Sequence, residues 1–207
     1  MFKIKKITNK AMDMNSYVLI KQKSMTVIDP GFNGKAILDL MKNKKYDLEA
    51  VLLTHGHYDH IRDIEMIGEN QSFKVYIHAK DFAALYDVKK NYSAAFGHNF
   101  KLKQSIQVKQ LSQDQVIHLL SEQINVMHTP GHTFGSVMYL YRNNVFSGDT
   151  IFYDSIGRTD LFSGNFNAIR RSLNKIKKSL SNNNKIWPGH GKNGLYKVIK
   201  EVNRYLK

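Results

Sequence analysis

Apolar residues alternate with polar ones at the start of the chain and then gather into short runs. Met1–Thr8 alternates apolar and lysine positions in the manner of an edge strand. Ser16–Lys21 and Ser24–Asp29 read as a hairpin, closed by the turn residues Asp29-Pro30-Gly31. Gly34–Asn43 carries Ile37, Leu38 and Met41 at helical spacing, so a helix is predicted there. Val51-Leu52-Leu53 is the uninterrupted run expected of a buried strand, and Ile61, Ile64 and Ile67 predict a short helix after it. Lys74–His78 reads as a further strand, and Asp81–Asp87 as the start of another helix.

Lys89–Ser105 is the one long stretch without a period, a length associated with functional or mobile loops as well as surface insertions. Beyond it the strand-rich plan returns in Val116–Leu120, Ile124–His128, Ser136–Tyr141 and Asn144–Ser147. From Asn165, the positions Phe166, Ile169, Leu173, Ile176 and Leu180 fall on one side of a predicted helix. Lys185–Trp187 predicts a last strand, and Leu195, Val198, Ile199, Val202 and Leu206 predict the buried stripe of a terminal helix. Two strand-rich halves, each followed by helices, suggest an α/β fold of two facing sheets with helices outside. No internal repeat, low-complexity tract or linker interrupts the chain, so residues 1–207 are expected to form a single domain.

Composition narrows the setting. Cysteine is absent, which excludes disulfides and removes any pointer to an oxidising compartment. Met1–Thr8 lacks the apolar core of a signal peptide, and no apolar run is long enough to span a bilayer. A soluble cytoplasmic protein without a membrane partner is expected. The net charge of +14 invites a nucleic-acid reading. Only six of the 31 basic residues are arginine, however, and the lysines arrive beside eighteen asparagines. They are scattered through predicted helices and turns, the pattern of a solvated face, so no nucleic-acid partner is expected.

The candidate chemistry lies in Thr54-His55-Gly56-His57-Tyr58-Asp59-His60, directly after the buried run. His55 and His57 are two apart, so an extended backbone aims both imidazoles the same way. Asp59 and His60 follow where the chain can turn into a helix and face a second point nearby. One ion cannot readily use all four side chains, whereas two can. Three later segments each set a histidine or aspartate beside glycine at the end of a predicted strand: Thr129-Pro130-Gly131-His132-Thr133, Ser147-Gly148-Asp149-Thr150 and Pro188-Gly189-His190-Gly191. Histidine and carboxylate donors without thiolate suit zinc, with iron or manganese as other options. Of the remaining histidines, His78 is expected to bond locally and His128 to pack near the site, while His98 and His118 have no ligand partner in sequence.

These motifs resemble the metallo-β-lactamase superfamily, and within it the short glyoxalase II-like hydrolases, over nearly the whole chain from Ile28-Asp29-Pro30-Gly31 to Pro188-Gly189-His190-Gly191. The resemblance implies the αββα sandwich and two divalent metal ions. One would be held by His55, His57 and His132, the other by Asp59, His60 and His190, with Asp149 bridging both. It further implies a hydrolase whose nucleophile is hydroxide made by the two metals, and Asp59 is the carboxylate expected to orient it.

The segment Gly148–Phe152 with Ser155–Leu161 most resembles the glyoxalase II-like group, which implies a small, anionic acyl thioester as substrate. A thiol leaves as thiolate without a dedicated acid. Arg158 falls where that group places a basic contact to glutathione, while Asp160 and Lys192 stand where it has glutathione-contacting tyrosines. Only Gly191–Lys207 follow His190, so the helical domain that helps bind glutathione in full-length glyoxalase II is not expected. The superfamily also contains lactonases, phosphodiesterases and persulfide dioxygenases. The dioxygenases use one iron bound at the positions of His55, His132 and Asp149.

Overall fold

The computed structural model describes residues 1–69 and 71–207. Among the described residues, twelve strands form two six-stranded sheets. The first sheet keeps sequence order: β1 (Lys3–Asn9), β2 (Met14–Lys21), β3 (Ser24–Ile28), β4 (Asp47–Leu52), β5 (Lys74–His78) and β6 (Gln107–Leu111). Its first three strands are antiparallel and its last four run parallel. The second sheet contains β7 (Val116–Leu119), β8 (Glu122–His128), β9 (Val137–Tyr141), β10 (Asn144–Gly148), β11 (Lys185–Pro188) and β12 (Gly194–Leu195). There only β10 and β11 pair in parallel.

Strand alternation sorts side chains into three apolar layers. Tyr17, Leu19, Ala50 and Leu52 face inward and meet Ile124, Val126, Val137 and Tyr139 between the sheets. Val18, Val27, Val51 and Leu53 point the other way, against Ile37 and Met41 of α1 (Gly34–Lys44), Ile61 of α2 (Tyr58–Ile61), and Ile64 and Ile67 of α3 (Ile64–Ile67). On the opposite face, Met138, Val145 and Ile186 pack with Leu173 and Ile176 of α4 (Phe166–Ser179) and with Tyr196 and Ile199 of α5 (Tyr196–Val202). Helix, sheet, sheet, helix is therefore the order of layers. It explains why the end of β4 reads as an uninterrupted apolar run: a strand buried on both faces does not alternate. Trimming Leu52, wholly buried between the sheets, to alanine would cost about 2–5 kcal/mol. No helix among the described residues is long and apolar enough to cross a membrane.

Three elements depart from the sequence expectation. The predicted helix at Asp81–Asp87 is a 3-10 helix over Ala79–Leu85. β6 went unforeseen because only Leu111 of its five residues is buried, so it shows no apolar pattern. The terminal helix turns a different face inward. Leu195, Val198 and Val202 are exposed, while Tyr196, Ile199 and Leu206 are buried. Buried Asn203 accounts for this rotation: its Nδ2 donates to the carbonyls of Phe152 (3.2 Å) and Ser155 (2.7 Å), pinning the end of α5 to the second sheet's loops.

Candidate metal centre

Both sheets deliver residues to one edge of the sandwich. The turn after β4 brings His55 and His57, and α2 adds Asp59 and His60; the loops after β8, β10 and β11 bring His132, Asp149 and His190. Three groups of donor atoms converge here, each within 4.8 Å: His55, His57 and His132; His55, His60 and Asp149; and Asp59, His60 and His190. All seven motif residues thus meet at one place. Asp149 lies between the sets. Its Oδ1 is 3.3 Å from His60 Nε2, and its Oδ2 is 3.6 Å from both His132 Nε2 and His190 Nε2. Asp59 Oδ2 lies 3.2 Å from His190 Nε2.

Four imidazoles are held by the nitrogen that faces away from the centre. His132 Nδ1 donates to the Arg158 carbonyl (2.8 Å) and His190 Nδ1 to the Met12 carbonyl (3.0 Å). His60 Nδ1 donates to Asp29 Oδ2 (2.9 Å). The Thr54 hydroxyl donates to that same oxygen (2.6 Å), so it is left to accept from His55 Nδ1 (3.1 Å). Each ring with Nδ1–H occupied presents a lone pair at Nε2. His55 and His132 Nε2 face each other at 3.2 Å, and His60 Nε2 and Asp149 Oδ1 are buried without a hydrogen-bond partner. Lone pairs and carboxylates that converge in a buried place are costly, and divalent cations satisfy them. The residues present fit two such ions.

Electrostatics divide the cluster. Burial and the neighbouring imidazoles push His55 well below the usual histidine range, and burial takes His57 to about 3. Burial opposes charge on His60 and His190 too, but the Asp149 and Asp59 carboxylates outweigh it and raise both. The same attraction holds Asp149 well below the carboxylate range against its own burial.

Carboxylates beneath the centre carry roles the sequence did not disclose. Asp29, read as a turn residue, sits at φ 48° after β3 and accepts from Thr54 N (2.8 Å), as well as from Thr54 Oγ1 and His60. Asp81 is buried and accepts from Gly56 N (3.0 Å), Thr133 Oγ1 (2.7 Å) and Gly135 N (2.7 Å), tying the His55–His57 turn to the His132 loop. Across the sandwich, Asn15 Nδ2 and Tyr17 Oη donate to the Pro188 carbonyl (3.0 and 2.6 Å), fastening the His190 loop to β2. Gly189 lies so near Asp149 that a Cβ would overlap its carboxylate. His78 and His128 stack at 4.0 Å away from the donor groups, and His98 and His118 are exposed.

Over the donors opens a cavity of about 640 Å³, with His57, Asp59, His132, Asp149 and His190 on its floor. Tyr92, Ala95, Phe96, Phe152, Gly157, Arg158 and Leu161 form the rest of its lining. The Lys89–Ser105 stretch thus supplies one wall. It is built around buried Asn91, whose Nδ2 donates to the carbonyls of Ala84 (2.8 Å) and Phe100 (3.2 Å), and Phe162 N donates to the Tyr92 hydroxyl. Arg158 stands at the rim, paired with Asp160.

The αββα sandwich and its edge-mounted histidine–aspartate cluster define a metallo-hydrolase architecture. The chain belongs to the metallo-beta-lactamase superfamily, whose model matches residues 12–190. It is 31% identical to the probable metallo-hydrolase M6_Spy0554 of Streptococcus pyogenes serotype M6, across 92% of this chain and 84% of that protein. The BLEG-1 B3 metallo-beta-lactamase crystal structure superposes with a TM-score of 0.91 at 31% identity, covering 99% of this chain and all of that one. TTHA1623, solved in a di-iron-bound form, gives a TM-score of 0.84 at 28% identity over 97% and 99% of the two chains. The superfamily fold implies divalent metal ions.

Proposed function

We propose that this protein is a dimetal hydrolase of small acyl thioesters. The observation that carries the reading is the composition of the cavity wall. Apart from the five donor residues on its floor, its lining among the described residues is Tyr92, Ala95, Phe96, Phe152, Gly157, Arg158 and Leu161, with no further carboxylic acid or histidine to protonate a leaving group. A leaving group that departs without a proton suits such a wall, and a thiol with a pKa near ~8.5 does so far more readily than an alcohol or amine. Serine and cysteine nucleophiles are missing from the lining, so water is the attacking group.

Two divalent ions held by the histidine and aspartate donors would lower the pKa of a water to about 7 and draw charge from the substrate carbonyl. Zinc is the ion we assign from the nitrogen and oxygen donor set, while iron and manganese are compatible with it. The chain's own residues do the rest. The Asp59 carboxylate, 18% exposed and on the cavity floor, orients the attacking water and takes up its proton. Asp149 spaces the two donor sets, and the hydrogen bonds at Nδ1 keep the rings from rotating. Tyr92 and Phe96 shield the reacting carbonyl from bulk water on one side. Water's oxygen bonds to the acyl carbon, the C–S bond breaks, and the thiolate leaves.

A substrate panel on the metal-loaded protein tests this reading: simple acyl thioesters and S-lactoylglutathione beside lactones, phosphodiesters and persulfides. Thioesters should give the highest kcat/KM, with two metal ions per chain. Strong activity only on a homoserine lactone or RNA would remove the thioesterase reading. One iron per chain with oxygen consumption would replace it with the dioxygenase.

A further inference from the structure

We propose that Asp160 sets the charge selectivity of the cavity, so that the favoured thioester carries an uncharged, apolar thiol moiety. This rests on the thioesterase reading and narrows it. Among the described residues, Arg158 is the only lysine or arginine in the cavity lining. Its Nε and Nη2 donate to Asp160 Oδ1 and Oδ2, both at 2.8 Å, the fork-on-fork geometry in which a guanidinium saturates a carboxylate. A substrate carboxylate at this rim must therefore compete with one already in place.

The position of Arg158 is itself fixed. Its carbonyl accepts from His132 Nδ1, which anchors the backbone, so the guanidinium meets an anion elsewhere only by turning its side chain away from Asp160. Lys192, close in sequence to His190, lies with Nζ 3.7 Å from the centre of the Tyr153 ring and is absent from the lining. Beside the Gly157 backbone, what remains of the wall is apolar and aromatic: Tyr92, Ala95, Phe96, Phe152 and Leu161. Such a surface favours a hydrocarbon or aryl group over a charged one. The pair is exposed, with side-chain exposures of 62% and 66%, so water weakens it and the selectivity it confers is a matter of about two- to fivefold.

The test uses two thioesters that differ by one carboxylate, S-benzyl thioacetate and its 4-carboxybenzyl counterpart. Wild-type protein should favour the neutral ester in kcat/KM through KM. Asp160→Asn should shift the ratio about two- to fivefold toward the carboxylated ester, and adding Arg158→Gln should erase that shift. Metal content, measured on each variant, separates this from a structural fault. A wild-type preference for the carboxylated ester, or an Asp160→Asn effect equal on both esters, would overturn the proposal. If neither ester is hydrolysed, the thioesterase reading has failed on its own. The selectivity is then read by calorimetry from the two product thiols binding to the metal-loaded protein. The same preference and the same shift in Asp160→Asn support it, and equal binding of both thiols overturns it.

Discussion

The carbonyl of Arg158 accepts a hydrogen bond from His132 Nδ1 at 2.8 Å, so one residue serves the donor cluster with its backbone and the cavity rim with its side chain. Backbone and side chain are separable by substitution. Arg158→Ala keeps the carbonyl and should leave metal content at the wild-type value while changing KM for a substrate that reaches the rim. Metal analysis beside steady-state kinetics checks this, and loss of metal would show that the guanidinium supports the cluster.

The neighbouring Gly157 should behave in the opposite way. A Cβ there would overlap the Asp149 carbonyl and crowd His132 Nδ1. Gly157→Ala should therefore lower metal content, with any loss of activity following the loss of metal. Elemental analysis of the refolded, reconstituted variant decides the point. Full occupancy would mean that the loop yields without disturbing Asp149 or His132.

Asp149→Ala should damage the protein more than loss of any terminal donor such as His57. Asp149 Oδ2 is equidistant from His132 and His190, and Oδ1 faces His60, so its removal disturbs both donor sets together. The variant is expected to retain less than one metal per chain, and His57→Ala to keep at least one. If Asp149→Ala held two metals and most of its activity, the carboxylate would not be a bridge.

Asp29 and Asp81 extend the argument below the donors. Asp29→Asn removes the charged acceptor of His60 Nδ1, and Asp81→Asn weakens the clamp between the His55–His57 turn and the His132 loop. Partners that orient metal ligands are typically worth 10- to 100-fold in affinity, and a loss of about that size is expected for each variant. Competition with a chromophoric chelator measures it. An unchanged affinity in Asp81→Asn would leave that carboxylate with a role in loop packing alone.

What was legible in the sequence follows how local each signal is. His55, His57, Asp59 and His60 could be read together because one strand end and one helical turn carry them all. His132, Asp149 and His190 each followed a predicted strand with a glycine alongside. Asp29 was visible only as a turn former, because its contacts to Thr54 and His60 exist only once β3 and β4 pair. Asp81 gave no signal: its three donors lie 25 to 54 residues away. The Leu195–Val198–Val202 stripe misled for a related reason. Helical spacing gives a face but not its direction, and that is fixed by the bonds of Asn203 to the 152–155 loop.

Acidification should empty the two donor sets in a definite order. A metal displaces protons from its ligands, so the set whose histidines hold protons more tightly loses its ion first as pH falls. In the metal-free protein, burial and neighbouring imidazoles keep His55 neutral, and burial keeps His57 neutral down to about pH 3, so protons do not compete there in the physiological range. His60 and His190 are the reverse: the carboxylates around them raise their affinity for protons above that of an ordinary histidine, despite burial. Binding at Asp59, His60 and His190 must expel those protons, and the apparent affinity falls as pH drops below the raised values. The expected result is a stepwise loss as pH falls through the raised values of His60 and His190, from two metals to one, with the surviving ion at His55, His57 and His132. Metal stoichiometry after equilibration across those values gives the step. His190→Ala should already show the one-metal state at pH 8. Simultaneous release of both ions in the wild type, at any pH, would mean that Asp149 couples the two sets more strongly than their histidines differ.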